Sequence, residues 1–319
     1  MKTVGIRGIG MYVPEQKLTN DDLEKMVETS DEWIVSRTGI SERRIAGKDL
    51  KTSDMALRAA RMAMERAELA VDECAFVISS TASHEVTCPA QAARVAGGLG
   101  LTNSYCFDIN AACSGLVFAL ALGQSLLQTR GGGAGLITAS EKMSSFVDYT
   151  DRTSCVLFGD GAAALTLATE PPFHPILTTE LGTDPTGAEA VKMGGTEAHG
   201  TLEDLYFKQD GRAVFRFAVT KLKELIRLML ERTGVKPSDR FFVVPHQANL
   251  RMIENVAKDM GLSMDRFVMN IQKYGNTSSA SIGLALAEAE QEGRFKPGDK
   301  VFLVGFGGGL SWGAMAIEW

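Results

Sequence analysis

The chain has 319 residues, of which 45% are hydrophobic, and its 33 Lys and Arg against 39 Asp and Glu give a formal net charge of −6. This length exceeds that of one small core and favours two halves of similar size. The acidic balance and the lack of basic stripes interleaved with aromatic residues argue against a nucleic-acid partner. No apolar run approaches the ~18 residues of a membrane span, so we expect no membrane partner.

Cysteine usage and the amino terminus favour a cytoplasmic protein. Five cysteines without a Cys-x-x-Cys pair argue against both a disulfide framework and a zinc site. His84 and Cys88 are four residues apart, but two ligands are too few for a metal site. The first residues lead directly into a strand-like segment, without the apolar core and cleavage site of a signal peptide. From the cysteine pattern and the isolated pair His84 and Cys88, we expect no metal.

Strand and helix patterns alternate along the chain, which is typical of α/β layers. The predicted buried strands are 75–79, 105–109, 135–139, 162–168, 241–244 and 301–304. The segment 116–127 is almost wholly apolar and predicts a helix buried on every side. Further helices are predicted up to residue 260 and up to residue 290. The clustered prolines Pro171 and Pro172 break the pattern, so we place the boundary between halves 1–171 and 172–319 there.

Cys113 lies where a predicted strand leads into the apolar helix, in the run Asp108-Ile109-Asn110-Ala111-Ala112-Cys113-Ser114-Gly115. The amino end of a helix carries unpaired N–H groups and a partial positive charge, which stabilise an anion. Such an environment lowers a cysteine pKa from about 8.5. We therefore expect the Cys113 thiol to be partly ionised at neutral pH, although a small buried hydrophobic residue is the alternative.

Two downstream segments each place a polar residue after an apolar strand. His246 follows 241–244 and Pro245, and Asn276 lies at a bend permitted by Gly275. The hydroxyls at 277–279 are predicted to cap the helix that runs to residue 290. Taken singly, both residues fit structural roles, but with Cys113 they form a Cys/His/Asn set. Papain-like hydrolases share such a set, yet the residues after Cys113 do not match their Cys-Gly-Ser-Cys-Trp type of run.

Six motifs occur in register along the whole chain. They are Asp31-Glu32-Trp33-Ile34 with Arg37-Thr38-Gly39-Ile40, the run 110–115, Val156-Leu157-Phe158-Gly159-Asp160-Gly161-Ala162, Pro245-His246-Gln247-Ala248-Asn249, Tyr274-Gly275-Asn276-Thr277-Ser278, and Phe306-Gly307-Gly308-Gly309. In these motifs the chain resembles the beta-ketoacyl-[acyl-carrier-protein] synthase III family of condensing enzymes, which start bacterial fatty-acid synthesis. The resemblance implies a homodimer with a thiolase-like five-layer αβαβα fold made of two pseudo-repeated halves.

The resemblance also implies a reaction, the decarboxylative Claisen condensation of an acyl-CoA with malonyl-acyl-carrier protein, and no cofactor beyond these substrates. Cys113 would be the nucleophile, His246 and Asn276 would stabilise the enolate, and the backbone N–H groups of Cys113 and Gly308 would form the oxyanion hole. The glycine run also fits a hairpin turn between 301–304 and 312–315. A relative with another primer or extender, an acyltransferase, a cysteine hydrolase and a non-catalytic subunit remain alternatives.

The substrate contacts implied by the resemblance are further from the reacting atoms. Trp33 and Arg152 would sandwich the adenine of CoA, and Arg37 would contact its phosphates. Arg216, Arg251 and Lys258 are the candidates for binding the acyl carrier protein, from a wider basic set that includes Arg212, Lys221 and Lys223. One departure is Cys88, where the family often has a phenylalanine that reaches the partner's acyl pocket. The smaller side chain leaves the primer open to a longer or branched acyl group.

Overall fold

The computed structural model describes residues 2–194 and 205–319, in which strands and helices alternate. The first half contains β1 (Gly5–Tyr12), β2 (Lys17–Thr19), α1 (Asn20–Glu24), α2 (Asp31–Thr38), β3 (Glu42–Arg44), α3 (Thr52–Arg66), β4 (Cys74–Ser80), α4 (Gln91–Leu99), β5 (Tyr105–Ile109), α5 (Gly115–Arg130), β6 (Ala134–Lys142), α6 (Arg152–Cys155) and β7 (Asp160–Ala168). The second contains β8 (His174–Thr183), β9 (Val191–Lys192), β10 (Lys208–Gln209), α7 (Gly211–Thr233), β11 (Phe241–Pro245), α8 (Leu250–Met260), α9 (Ile271–Tyr274), α10 (Ser281–Gln291), β12 (Lys300–Gly307) and β13 (Ser311–Glu318).

The two halves have the same strand topology. Nine strands lie in the order β11-β12-β13-β8-β1-β7-β6-β4-β5. Strands β1, β4, β5, β6 and β7 form the first sheet, and β8, β11, β12 and β13 form the second. Two residue pairs between β1 and β8 join the two sheets. In each half the first strand pairs antiparallel with the last, the last antiparallel with the one before it, and that strand parallel with the second. Where β5 lies beside β4, Phe267 makes a parallel bridge to Val243 in the second half. This correspondence supports the two predicted halves, while the boundary at residue 171 stays a prediction.

Five layers follow from the way apolar residues are distributed on the strands. In β11, Phe242 and Val244 face the central layer of helices, α5 and α10, whereas Phe241 and Val243 face α7 and α8. Helices α3 and α4 cover the outer face of the first sheet. Because both faces of each sheet are covered, its strands are continuous apolar runs rather than alternating ones. The predicted αβαβα layering is confirmed, and each predicted strand is present with its ends extended by up to three residues.

Helix α5 is apolar because one of its faces lies in the middle of the protein, but Leu122 is 38% exposed, so the prediction of a helix buried on every side is wrong. Leu116, Val117 and Leu120 are fully buried between the sheets. Within the described ranges, Ala112–Arg130 is the one helical stretch with the length and apolarity of a membrane span, with half of its 18-residue window buried. The expectation that no segment has this character is therefore wrong for 112–130, and its place in the core layer explains the composition.

The start of α10 corrects another expectation. Its amino end is Ala280, and no side chain caps it. The hydroxyls of Ser278 and Ser279 instead donate to the carboxylate of Glu141 at the end of β6. The prediction that these hydroxyls cap the helix is wrong, because a buried carboxylate competes for the same donors.

Replacing Val117 by alanine should show how much the middle layer stabilises the fold. Removing two buried methyl groups should lower the free energy of unfolding by about 2 kcal/mol. The matched control is Val71→Ala, because Val71 is 51% exposed. Urea denaturation of both variants checks the prediction, and equal losses would contradict it.

Candidate active site

Cys113 lies in a short 3₁₀ turn, Ala112–Ser114, between β5 and α5. Ala112 has a φ of +46°, a left-handed conformation that is unfavourable for alanine. Strained backbone of this kind persists where the surrounding structure enforces it, often at functional sites. The turn therefore holds the thiol just ahead of the first turn of α5.

The glycine run after β12 approaches this turn closely. A Cβ atom on Gly307 would lie 2.8 Å from the backbone nitrogen of Cys113 and 3.0 Å from its Cβ. Only glycine permits that approach. The same run connects β12 to β13 as a hairpin, so the hairpin and the close approach to the active-site turn are both present.

His246 follows β11 and is fixed at both its backbone and its ring. Its backbone N–H donates to the Val304 carbonyl at 2.8 Å, and its Nδ1 lies 2.7 Å from Ser281 Oγ. Ser281 Oγ also accepts from the Gln247 backbone N–H at 3.3 Å. The Ser281 hydroxyl can donate its proton to Nδ1, an arrangement that places the imidazole proton on Nε2. Burial lowers the pKa of His246 to about 3, so the ring is neutral, and in this arrangement its Nε2–H is a hydrogen-bond donor.

Asn276 is oriented by its neighbours in the same way. Its backbone is held between Leu157 and Gly159, through hydrogen bonds of 2.8 and 3.1 Å. Its Oδ1 accepts from the Ser278 N–H at 2.8 Å. With the oxygen engaged, the amide nitrogen is the group left to donate towards a ligand.

One cavity of about 250 Å³ collects these groups. Cys113, His246, Asn276 and Gly308 all line it. Its remaining walls are mainly apolar, from Leu157, Phe158, Val191, Phe207, Val214, Phe215, Phe217, Met252 and Phe306. The structure therefore brings together every predicted reacting group in a site with few polar atoms, which is the usual character of a small-molecule pocket.

The ionisation state of Cys113 differs from the expectation. The pKa of the thiol is raised to about 12, chiefly by burial; the hydrogen bond with Ser278 opposes the shift, and the nearby Glu141 carboxylate adds to it. The prediction of a partly ionised resting thiol is therefore wrong. Cys113 lies two residues before the first residue of α5 and lines a mainly apolar cavity, where desolvation outweighs the helix dipole.

The predicted CoA-binding residues do not line the cavity, although Arg152 directly precedes Thr153, which does. The Arg152 guanidinium lies 5.0 Å from the centre of the Trp33 ring, so the two predicted adenine-binding groups face each other directly. Ser30 caps α2 by accepting from the Trp33 N–H at 3.1 Å. Arg37 lies one turn further along α2 and lines a second depression with Arg251. Their roles in binding stay predictions.

The remaining predicted residues are on the surface. Arg216 on α7 and Arg251 and Lys258 on α8 are exposed. Cys88 is also exposed and does not line the cavity of its own chain. Within residues 2–194 and 205–319, no group of three or more His, Cys, Asp and Glu side chains could hold a metal ion.

Three residues orient the site without a role predicted from the sequence. Glu141 and Ser281 are buried partners of the reacting groups, and the Gln247 side chain bonds to the Pro245 and Val268 carbonyls, which fixes the segment after β11. The sequence does point to Glu141, because it is a charged residue at the end of an apolar strand. His246 was predicted from the same kind of pattern, a polar residue after an apolar strand. Ser281 had none, because its contact depends on how α10 packs against β11.

Layered halves, with a cysteine before one central helix and an asparagine before the other, define the class of thiolase-fold condensing enzymes. The profile of 3-oxoacyl-[acyl-carrier-protein (ACP)] synthase III matches residues 107–185, and the profile of its C-terminal part matches 230–319. The chain belongs to this family, and the predicted family, fold and acyltransferase class are confirmed.

Three relatives illustrate this similarity. Beta-ketoacyl-[acyl-carrier-protein] synthase III of Clostridium acetobutylicum is 41% identical over 325 residues, covering 100% of this chain and 99% of the relative. The crystal structure of 3-oxoacyl-[acyl-carrier-protein] synthase III from Aquifex aeolicus is 40% identical with a TM-score of 0.93, covering 99% and 100% of the chains. The priming beta-ketosynthase of the R1128 polyketide pathway is 32% identical with a TM-score of 0.93, covering 99% and 96%.

The neutral state of His246 has a kinetic consequence. Burial lowers the pKa of this imidazole from 6.5 to about 3, so the ring holds the same charge at every pH from 5 to 8. The rate of the condensation step, measured in single turnovers of acyl-loaded enzyme, should show no inflection near pH 6.5. An inflection there that His246→Gln removes would contradict the prediction.

Proposed function

We propose that the protein condenses an acyl-CoA primer with malonyl-acyl-carrier protein, releasing CO2 and CoA and giving 3-ketoacyl-acyl-carrier protein. The observation that carries the proposal is the convergence of a half-buried thiol and two fixed side chains, His246 and Asn276, on one mainly apolar cavity. Acyl transfer needs the thiol, and decarboxylation needs donors where enolate charge develops.

In the first half-reaction, Cys113 Sγ attacks the thioester carbonyl of the acyl-CoA. A bond from Sγ to the acyl carbon forms, the bond from that carbon to the CoA sulfur breaks, and the thiol proton ends on CoA. The tetrahedral oxyanion would be bound by the backbone N–H groups of Cys113 and Gly308. The close packing of Gly307 on Cys113 supports this arrangement, because it brings both backbones to the same side of the cavity.

In the second half-reaction, the malonyl group loses CO2, and its bonding electrons pass to the thioester as an enolate. His246 Nε2–H and the Asn276 amide would donate to the enolate oxygen. The carbanion carbon then attacks the acyl group, a C–C bond forms, and Cys113 leaves as a thiolate that regains a proton. A hydrolase would instead need His246 as a base, and an imidazole whose pKa is lowered by burial to about 3 is too weak a base for that role.

Partners and location are proposed with the same function. Trp33, Arg37 and Arg152 would bind CoA, and Arg216, Arg251 and Lys258 would bind the carrier protein, with no further cofactor and in the cytoplasm. A homodimer is supported by the edge position of β5 and by exposed apolar side chains near it, because unpaired strand edges and apolar patches favour association. These side chains are Tyr105, Leu122 and Leu181, at 38% exposure each. Cys88 would then widen the partner's acyl pocket.

A second candidate is a related condensation with another primer or extender in secondary metabolism. The priming beta-ketosynthase of a polyketide pathway matches the whole fold at 32% identity, and the same cavity groups would serve either reaction. The choice of acyl group distinguishes the two.

Intact-mass measurements after incubation with acetyl-, isobutyryl- and octanoyl-CoA test the function. Wild-type protein should gain one acyl group, which should disappear as ketoacyl-carrier protein forms once malonyl-acyl-carrier protein is added. Cys113→Ser should abolish loading, whereas His246→Ala should still load and should lose decarboxylation. Normal condensation by His246→Ala, or acylation that survives Cys113→Ser, would contradict the assigned roles.

Arg152 tests the CoA site. Arg152→Ala should raise KM for acyl-CoA by about tenfold, the scale of one lost stacking contact with a base. Arg58→Ala is the matched control, because Arg58 stacks on Tyr12 at 4.7 Å and does not line the cavity. With an acyl-phosphopantetheine substrate, which lacks the adenosine, the Arg152→Ala defect should vanish. A defect that persists there would contradict adenine binding.

A further inference from the structure

Glu141 is a fully buried carboxylate whose partners are hydrogen-bond donors rather than cations. It ends in a pocket of hydroxyl groups at the carboxyl end of β6, and within the described ranges it has no ion-pair partner. Its donors are Ser83 Oγ at 2.5 Å, Ser279 Oγ at 2.6 Å, the Ala82 N–H at 3.1 Å, and Thr81 Oγ1 and Ser278 Oγ at 3.3 Å. Five donors can support the ionised form even without a cation.

Ser278 connects this carboxylate to the nucleophile. Its Oγ lies 3.6 Å from Cys113 Sγ and 3.3 Å from Glu141 Oε1. A hydroxyl accepts one hydrogen bond while donating another, so Sγ–H can donate to Ser278 as Ser278 donates to Glu141. Ser278 has a φ of +49°, so the backbone is held in an unfavourable conformation at the residue that makes this bridge.

The thiol proton needs an acceptor other than His246. Burial lowers the pKa of His246 to about 3, so its neutral ring is a weak base, and its Nδ1 is engaged with Ser281 Oγ at 2.7 Å. Asn276 and the backbone N–H groups offer the cavity further donors. Within the described ranges, the hydrogen bond recorded for Cys113 Sγ is the one to Ser278.

We propose that Glu141 and Ser278 form a proton relay that accepts the Cys113 proton during acyl transfer. As the bond between Sγ and the acyl carbon forms, the thiol proton passes to Ser278 Oγ and the Ser278 hydroxyl proton passes to Glu141 Oε1. As the bond from the acyl carbon to the CoA sulfur breaks, the proton returns along the same path to the CoA thiolate. Ser278 touches the reacting sulfur, and Glu141 acts through Ser278.

The charges around Glu141 set how the relay responds to pH. Burial raises the pKa of this carboxyl, and its hydroxyl donors lower it. Neighbouring charged groups are engaged elsewhere: Lys142 binds the carbonyls of Gly47 and Leu50, and Asp160 accepts from Ala46 and Ser144. Cys113 and neutral His246 are the titratable groups on the cavity side. The relay should therefore fail as pH falls through the pKa of Glu141.

The inference rests on the proposed role of Cys113 as nucleophile, so its test uses a reagent that needs no substrate. The rate of Cys113 alkylation by iodoacetamide, followed by intact mass from pH 5 to 9, reports how readily the thiol loses its proton. Acetyl-CoA loading of the wild type is measured alongside. If the wild type fails to load, the proposed function is wrong, whatever the alkylation rates show.

Three variants separate the relay from a structural role. Ser278→Ala should slow alkylation by about tenfold or more at pH 7, since it removes a proton-transfer step. Ser279→Ala removes a donor to the same carboxylate oxygen without touching Sγ, so it should keep most of the rate at high pH. Its acid-side decline should move to higher pH, because a carboxylate that loses a donor has a raised pKa. Glu141→Gln should lose the acid-side decline and react slowly at pH 7, with a rate that rises with hydroxide.

Two outcomes would overturn the relay. One is a Ser278→Ala profile that matches either the wild type or Ser279→Ala. The other is faster alkylation in Glu141→Gln than in the wild type. The Glu141 charge raises the pKa of the thiol, so a carboxylate that acted only by repulsion would slow alkylation, and its removal would speed it. The relay predicts that the removal slows alkylation. Thermal unfolding of each variant establishes that the comparison is made on folded protein.

Discussion

The structure depends on the burial of two central helices, α5 and α10, between two sheets. In chain order, α5 follows β5, and α10 follows the segment of Phe267 that takes the place of β5 in the second half. Each helix is directly preceded by a short 3₁₀ turn, at Ala112–Ser114 and Ser278–Ala280. The first residue of each turn has a positive φ, +46° and +49°. Because the halves share one topology and pack their central helices together, both turns meet at one place. The thiol of one half and the hydroxyl of the other touch there as a consequence of the duplicated architecture.

Desolvation sets the chemistry of that meeting point. The cavity that protects a reactive intermediate also disfavours every charge in it, which raises the pKa of Cys113 and Glu141 and lowers that of His246. The helix dipole is worth only about 0.3–2 kcal/mol, so it cannot offset full burial of a thiolate. The fold therefore keeps the resting site neutral where it can, and it surrounds the Glu141 carboxyl with hydroxyl and N–H donors.

Sequence reasoning reached the strands and the candidate reacting residues, because each leaves a local pattern, whereas the five layers came from the family resemblance. The apolar run 241–244 predicts a strand covered on both faces, and the run before His246 predicts a polar group at a strand end. The contacts that orient those groups leave no such pattern. Ser281 and Ser278 are ordinary helix-start serines in sequence, and their partners lie 35 and 137 residues away. The relation between the halves was predicted from the resemblance, and it is visible in the shared strand topology.

Under the proposed mechanism, a neutral His246 would allow one cavity both to form and to preserve a carbanion. An imidazolium beside the enolate would stabilise its charge more strongly, but its acidic proton would be lost to the carbon before a new bond formed. An uncharged ring with its proton on Nε2 still donates a hydrogen bond, yet it is far too weak an acid to quench the carbanion. Burial beside Phe306, whose ring is 5.3 Å from that of His246, and the Ser281 contact together select this form. The same apolar walls that make the site costly to charge thus keep the intermediate available for carbon–carbon bond formation.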